Sequence, residues 1–255
     1  MARKTKETTV GSQNRTVTPN EAKSAIEHCI KLQRPLMMWG APGIGKSDIV
    51  KQVADAQERQ VIDIRLPLWE PTDIKGIPYY NSKENNMVWA SPAELPTDPK
   101  SNAIVFLDEL NSAAPAVQAA AYQLILNRRV GQYHLPEGVS IVAAGNRDSD
   151  KGVTYRMPAP LANRFVHIEL RVDYDDWLQW ATDRKVHADV VGYCTFAKQD
   201  LYDFDPRGSS RSFATPRSWS FVSQLLSDDL PESTLTDLVA GCVGEGLAVK
   251  FMNHR

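Results

Sequence analysis

The feature that most limits what this chain can fold into is an eight-residue string, Gly40-Ala41-Pro42-Gly43-Ile44-Gly45-Lys46-Ser47. It fits the pattern G-x-x-x-x-G-K-[S/T]. Its flanks matter as much as its letters. Pro35 to Trp39 is a short, continuous apolar run of the kind that forms a buried parallel strand, and a helical pattern begins near Lys46 and runs to Gln57. The glycines let successive backbone N–H groups turn inward around an anion. Lys46 brings a positive charge to the β- and γ-oxygens of a nucleotide, the Ser47 hydroxyl is a ligand for Mg²⁺, and the helix behind adds its positive end.

The rest of the chain continues this alternation. Thr18-Pro19-Asn20-Glu21 has capping-box spacing with proline at the first helical position, and the apolar residues that follow predict an amphipathic helix over 19–32. Further strands are expected at Val61–Leu66, Ile104–Leu107, Val139–Ala144 and Phe165–Leu170, with an Ala-rich helix at Pro115–Asn127. Strands separated by helices argue for a parallel α/β sheet, here a five-stranded P-loop core. Residues 67–100 are rich in Pro, Asn, Asp and Lys and predict little beyond a hairpin. After Asp173 the strands stop. Helical patterns at 177–182, 187–198, 217–226 and 235–252 predict a small all-helical lid, and the last pattern meets no Gly or Pro stop before Arg255. The expected organisation is a flexible tail over 1–16, an α/β core over 17–172 and a helical lid over 173–255.

Composition narrows the function. Lys and Arg number 29 against 31 Asp and Glu, a net charge of −2, which disfavours a globally basic nucleic-acid binder but not a local basic patch. Cys29, Cys194 and Cys242 are far apart and form no zinc or redox spacing, a sparse set that fits a reducing cytoplasm. Met1 to Arg15 has no apolar centre for a signal peptide, and no apolar run approaches the ~18 residues of a membrane helix. The expectation is a soluble cytoplasmic protein.

Ile104-Val105-Phe106-Leu107-Asp108-Glu109 delivers two adjacent carboxylates to the end of a hydrophobic strand, where ligand sites form in α/β sheets. With a phosphate loop upstream, Asp108 is expected to hold Mg²⁺ and Glu109 to act as general base on the attacking water. An acid at Glu109 fits a hydrolase better than a nucleotide-binding switch. No N-K-x-D string reads a guanine base; Asn146-Arg147-Asp148-Ser149 comes nearest and does not fit. Asn146 ends a strand and has two readings, an amide orienting water beside the γ-phosphate or half of a turn-forming Gly-Asn pair. Arg164 precedes the fifth strand, either as a charge reaching a neighbour's γ-phosphate or as a surface ion-pair former, with Arg156, Arg128 and Arg129 as competitors. Arg217 opens a lid helix, either as a cation reaching the nucleotide from the lid side or as a helix-start arginine making no special contact; the helix dipole disfavours a cation there, which favours the first reading.

Taken in order, these strings resemble an AAA+ ATPase. Glu70-Pro71-Thr72-Asp73-Ile74-Lys75-Gly76-Ile77-Pro78, Phe106 to Asn111, Ala144-Gly145-Asn146-Arg147 and Leu161-Ala162-Asn163-Arg164-Phe165 resemble the MoxR-like branch, the clade with an insertion in the second core helix. The resemblance covers residues 30–226. It implies that Lys46 and Ser47 are Walker A, Asp108 and Glu109 Walker B, Asn146 sensor 1, Arg164 the arginine finger and Arg217 sensor 2. It also implies ATP and Mg²⁺ at subunit interfaces of a ring, usually a hexamer. The ring would remodel a protein substrate, frequently beside a von Willebrand A-domain partner. A nucleic-acid motor and a GTP-preferring relative are the alternatives. The insertion region, 77–100, is short here. Tyr79, Tyr80 and Trp89 in it predict a hairpin directed toward the ring axis, or else aromatics packed on the parent domain.

Overall fold

The computed structural model describes residues 15–150, 152 and 154–255. Most of the expected tail lies outside the described residues, but Thr16 does not belong to it, because it is paired as strand. The chain runs through β1 (Thr16–Val17), α1 (Pro19–Lys31), β2 (Leu36–Trp39), α2 (Lys46–Ala56), β3 (Val61–Arg65) and α3 (Pro71–Lys75). A hairpin, β4 (Ile77–Asn81) and β5 (Asn86–Ala90), precedes β6 (Ile104–Asp108) and α4 (Pro115–Asn127). A second hairpin, β7 (Arg129–Val130) and β8 (Tyr133–His134), leads to β9 (Ser140–Gly145), α5 (Ala159–Ala162) and β10 (Val166–Leu170). Helices α6 (Tyr174–Asp183), α7 (Ala188–Phe196), α8 (Pro216–Leu225), α9 (Glu232–Val243) and α10 (Glu245–His254) finish the chain.

The main sheet has the order β1-β10-β2-β9-β6-β3, and every pairing is parallel. All five expected core strands are in it, and β1 extends one edge. Strands β6 and β9 are buried along their whole length, as their continuous apolar sequences require. Alternate residues face two cores. Met37, Val105, Leu107 and Ala143 meet α4, whereas Leu36, Met38, Phe106 and Val142 meet α1 and α2. The predicted capping box starts α1: Glu21 N–H donates to Thr18 Oγ1 at 3.3 Å and Thr18 N–H to Glu21 Oε2 at 2.9 Å. This order places the phosphate-loop strand β2 between β9 and β10, with Asn146 beside the loop end of β2 and the residues around Arg164 beside its start.

The helical part packs its own core on Trp177, Tyr193, Trp219, Val239 and Phe251. The single helix expected over 235–252 is two helices. Gly244 separates them with φ of 94°, in the left-handed region that glycine enters at no steric cost. The helix expected over 187–198 ends at Phe196, and a 3₁₀ turn, Lys198–Leu201, follows. Among the described residues no helix is long and apolar enough to cross a membrane, and the three cysteines are free thiols.

Candidate active site

Gly40 to Gly45 loop from β2 into α2, and Lys46 is the first residue of that helix. Its ammonium is half-buried and donates to Gly40 O at 2.7 Å, Ala41 O at 2.9 Å and Asn146 Oδ1 at 3.2 Å. Burial drives its pKa down to about 8, with Asp108 pulling the other way. A cation held by two loop carbonyls in a desolvated cradle is poised for phosphate oxygens, which would restore its full charge.

Ser47 faces the acidic strand end. Its hydroxyl donates to Asp108 Oδ2 at 3.3 Å, and Asp108 is buried. The donor set is hydroxyl and carboxylate oxygen, the hard ligands Mg²⁺ takes together with water and phosphate, so these residues fit that ion. Glu109 differs from its neighbour. Its side chain is exposed, its N–H donates to Asp108 Oδ1 at 2.9 Å, and its φ is 55°. A non-glycine residue in the left-handed region costs on the order of 1 kcal/mol and persists where the surroundings enforce it. Here the turn aims one carboxylate inward and leaves the next facing solvent.

The loop after β9 is braced from two sides. Asn111, itself buried, donates from Nδ2 to Asn146 O at 2.8 Å and accepts Asn146 N–H on Oδ1 at 3.2 Å. These bonds fix the Asn146 backbone and leave its side-chain oxygen for Lys46. Arg147 pairs with Asp150 at 2.8 Å and Glu169 at 3.2 Å, and these carboxylates hold its guanidinium more firmly protonated than an ordinary arginine. Of the two readings of Asn146, the geometry brings its amide to the lysine. Asn111 was not singled out in the sequence, although it closes the Phe106–Asn111 string. The only signal was one amide two residues past the acidic pair.

The arginines sort by surroundings. Arg128 is consumed by structure: its guanidinium donates to Pro136 O at 2.8 Å and Val139 O at 2.7 Å, tying the end of α4 to the segment between β8 and β9. Arg156 and Arg164 are exposed, and no described residue forms a side-chain hydrogen bond or ion pair with either. The Arg164 segment is nonetheless tied to the phosphate loop. Trp39, just before Gly40, donates its indole N–H to His167 Nδ1 at 2.9 Å, and that tautomer lets His167 Nε2–H donate to Ala162 O at 2.7 Å. Arg217 approaches from the lid. Its backbone N–H donates to Gly43 O at 3.2 Å, and its charge helps lower the Lys46 pKa. Gly43 admits this contact because any Cβ there would lie 2.7 Å from Thr215 Oγ1. Between the loop and the lid is a cavity of about 410 Å³, lined by Gly43, Ser47, Lys23, Trp177, Trp180 and Arg217 among others.

A parallel sheet with a phosphate loop on its central strand and an acidic pair two strands away defines a P-loop ATPase. A model of the ATPase family associated with various cellular activities (AAA) matches residues 35–167, more than half of the chain. The chain belongs to that family of ATP-hydrolysing P-loop enzymes. Over 174 residues, 63% of the chain, it is 29% identical to midasin from Giardia intestinalis, and the match spans 4% of that protein. Two solved structures have the same fold. An ATPase candidate from Cytophaga hutchinsonii superposes with a TM-score of 0.51 at 14% identity, covering 94% of this chain and 90% of that one. The RuvB Holliday junction branch migration motor of Thermotoga maritima does so with a TM-score of 0.51 at 17% identity, covering 92% and 67%. At these identities the likeness is one of fold.

Proposed function

We propose that the chain works as a Mg²⁺-dependent ATPase of the MoxR-like kind, in a ring whose subunits share their active sites and act on a protein partner. The observation that carries this reading is the convergence of Lys46 with Asn146 and of Ser47 with Asp108 around one loop. The loop amides and Lys46 would hold the β- and γ-phosphates, and Ser47 and Asp108 would hold the metal, which supplies positive charge to the phosphate oxygens. Glu109 takes the proton of a water that attacks the γ-phosphorus while the bond to the β,γ-bridging oxygen breaks. Asn146 orients that water. Arg217 closes the lid over the bound nucleotide, and Arg164 serves the site of the next subunit.

The hairpin β4–β5 is the candidate contact with a protein partner, a von Willebrand A-domain protein being one suggestion of the resemblance. Ile77, Tyr79, Tyr80 and Met87 are all more than half exposed on it, whereas Trp89 is partly covered and its backbone N–H donates to Gln132 Oε1 at 3.2 Å. Exposed apolar residues grouped on a protruding ribbon mark a protein-binding element. Two variants test the nucleotide part of the reading. Lys46→Ala is expected to lose nucleotide binding in calorimetry, and Glu109→Gln to bind ATP but hardly hydrolyse it. Undiminished affinity in the first, or wild-type turnover in the second, would remove these residues from the roles given.

A further inference from the structure

The Arg164 side chain is exposed, but the turn that carries it is not loose. Helix α5 is a single turn of four residues, too short to hold itself together without tertiary anchors. Leu161 before Arg164 and Phe165 after it are both buried in the core shared with α4. Local bonds close the chain between them: Asn163 N–H donates to Ala159 O and Arg164 N–H to Leu161 O, both at 3.0 Å.

One side chain ties this turn to the phosphate-loop strand. Strand β10 runs parallel to β2 with His167 beside Met37. Trp39, two residues further along β2, folds back so that its indole lies nearly parallel to the imidazole, at 11°, and donates to Nδ1 at 2.9 Å. Nδ1 accepts only while it carries no proton, so the proton of the ring is on Nε2. That N–H is spent on Ala162 O, the carbonyl two residues before Arg164. Phe165 meets the same ring edge-on, at 66°. The imidazole therefore spans from the residue before Gly40 to the Arg164 turn, with both nitrogens used.

We propose that His167 is a positioning residue for Arg164: its Nε2–H, in the tautomer that Trp39 fixes, seats the turn from which Arg164 reaches the γ-phosphate held by the next subunit. This rests on the shared-site reading of the proposed function and adds to it a residue that touches no part of the nucleotide. A defect at His167 is then a defect of the arginine a subunit lends, and its own phosphate loop stays intact.

His167→Phe keeps a flat ring and loses both bonds. Its kcat should fall about tenfold to a hundredfold, the scale of a misplaced group, with ADP affinity by calorimetry within about twofold of wild type. His167→Gln carries an amide donor near the place of Nε2 and should keep kcat within about threefold of wild type, whereas His167→Asn reaches only as far as Nδ1 and should be as slow as His167→Phe. Mixed assemblies then assign the defect to one side of the interface. With Lys46→Ala subunits, His167→Phe subunits should regain turnover at their own phosphate loops, because the adjoining subunit brings a seated Arg164. With Arg164→Ala subunits they should gain nothing, because no interface then has one. The reverse pattern would put the defect in the phosphate loop, transmitted through Trp39, and would overturn the proposal. So would recovery in both mixtures or in neither, wild-type kcat in His167→Phe, an ADP affinity that falls as far as kcat, or His167→Gln as slow as His167→Phe. If His167→Phe does not fold, His167→Asn takes its place in both mixtures. Arg164→Ala mixed with Lys46→Ala is the control: no recovery there, with co-assembly shown by mass, would bring down the shared-site reading itself and this proposal with it.

Discussion

The two sides of the candidate site are built differently. On the phosphate side the loop-facing groups are tied within the chain: Lys46 has three acceptors, Ser47 meets Asp108, and the Asn146 backbone is held by Asn111. On the arginine side, Arg164 and Arg156 are exposed and bonded to no described residue. Ordered groups with satisfied bonds are what a site needs for its own substrate. Arg164 sits at the other end of the parallel strands, beside the start of β2 and away from the phosphate loop, where a long exposed cation is free to reach another copy's site. In the ring proposed above, each chain would carry one half of an active site and the means to complete its neighbour's.

Among residues assigned no direct contact with the nucleotide, the largest effect on the phosphate side should come from Asn111→Ala. It removes both bonds to the Asn146 backbone without touching any group assigned to nucleotide. Turnover should fall on the order of tenfold to a hundredfold, the scale of a misplaced orienting group, while ADP affinity holds. Wild-type kcat in this variant would show that the Asn146 loop needs no brace.

A smaller effect concerns protons. In the empty site burial lowers Lys46 to about 8, whereas an unfolded lysine keeps its proton to 10.5, so from this group the empty chain gains stability as pH rises between those values. Phosphate restores the charge. ADP binding should therefore take up roughly half a proton at pH 8 and almost none at pH 6.5, read from calorimetry in buffers of different ionisation enthalpy. Uptake that does not grow with pH would contradict the desolvated lysine.

The smallest change in the isolated enzyme should follow Tyr79→Ala with Tyr80→Ala. Both side chains are more than half exposed, so thermal stability and basal turnover should hardly move, while stimulation by a protein partner is lost. A large drop in melting temperature would mean that the hairpin packs on its own domain.

The sequence was most legible where one local rule decided the outcome. The apolar runs became the expected core strands, the Thr18–Glu21 spacing became a capping box, and the glycine string became the loop between β2 and α2. It was least legible where a residue acts through tertiary contacts. Nothing local distinguishes Asn111, whose role depends on β9 lying next to β6. Arg128 stood among the candidate trans-acting arginines because its acceptors, the carbonyls of Pro136 and Val139, lie in an irregular segment between β8 and β9 that shows no period. Gly244 was absorbed into a helical pattern because glycine inside a helix is tolerated, and only its φ shows the break. Asp176, Trp180 and Arg184 have plain helical spacing, but spacing alone could not say that they face Asn20 of α1 and Asp48 of α2.

The claim that each chain completes its neighbour's site is tested most directly by mixing two dead variants. Arg164→Ala alone should keep its nucleotide affinity and lose turnover by a factor on the order of 10³. Lys46→Ala alone should bind no nucleotide. Mixed and reassembled, some interfaces pair an intact Lys46 with an intact Arg164 from the adjoining subunit, and the mixture should recover ATPase activity that neither variant has. Co-assembly shown by mass, with the mixture still inactive, would contradict the account and move the trans-acting role away from Arg164, to Arg156 first.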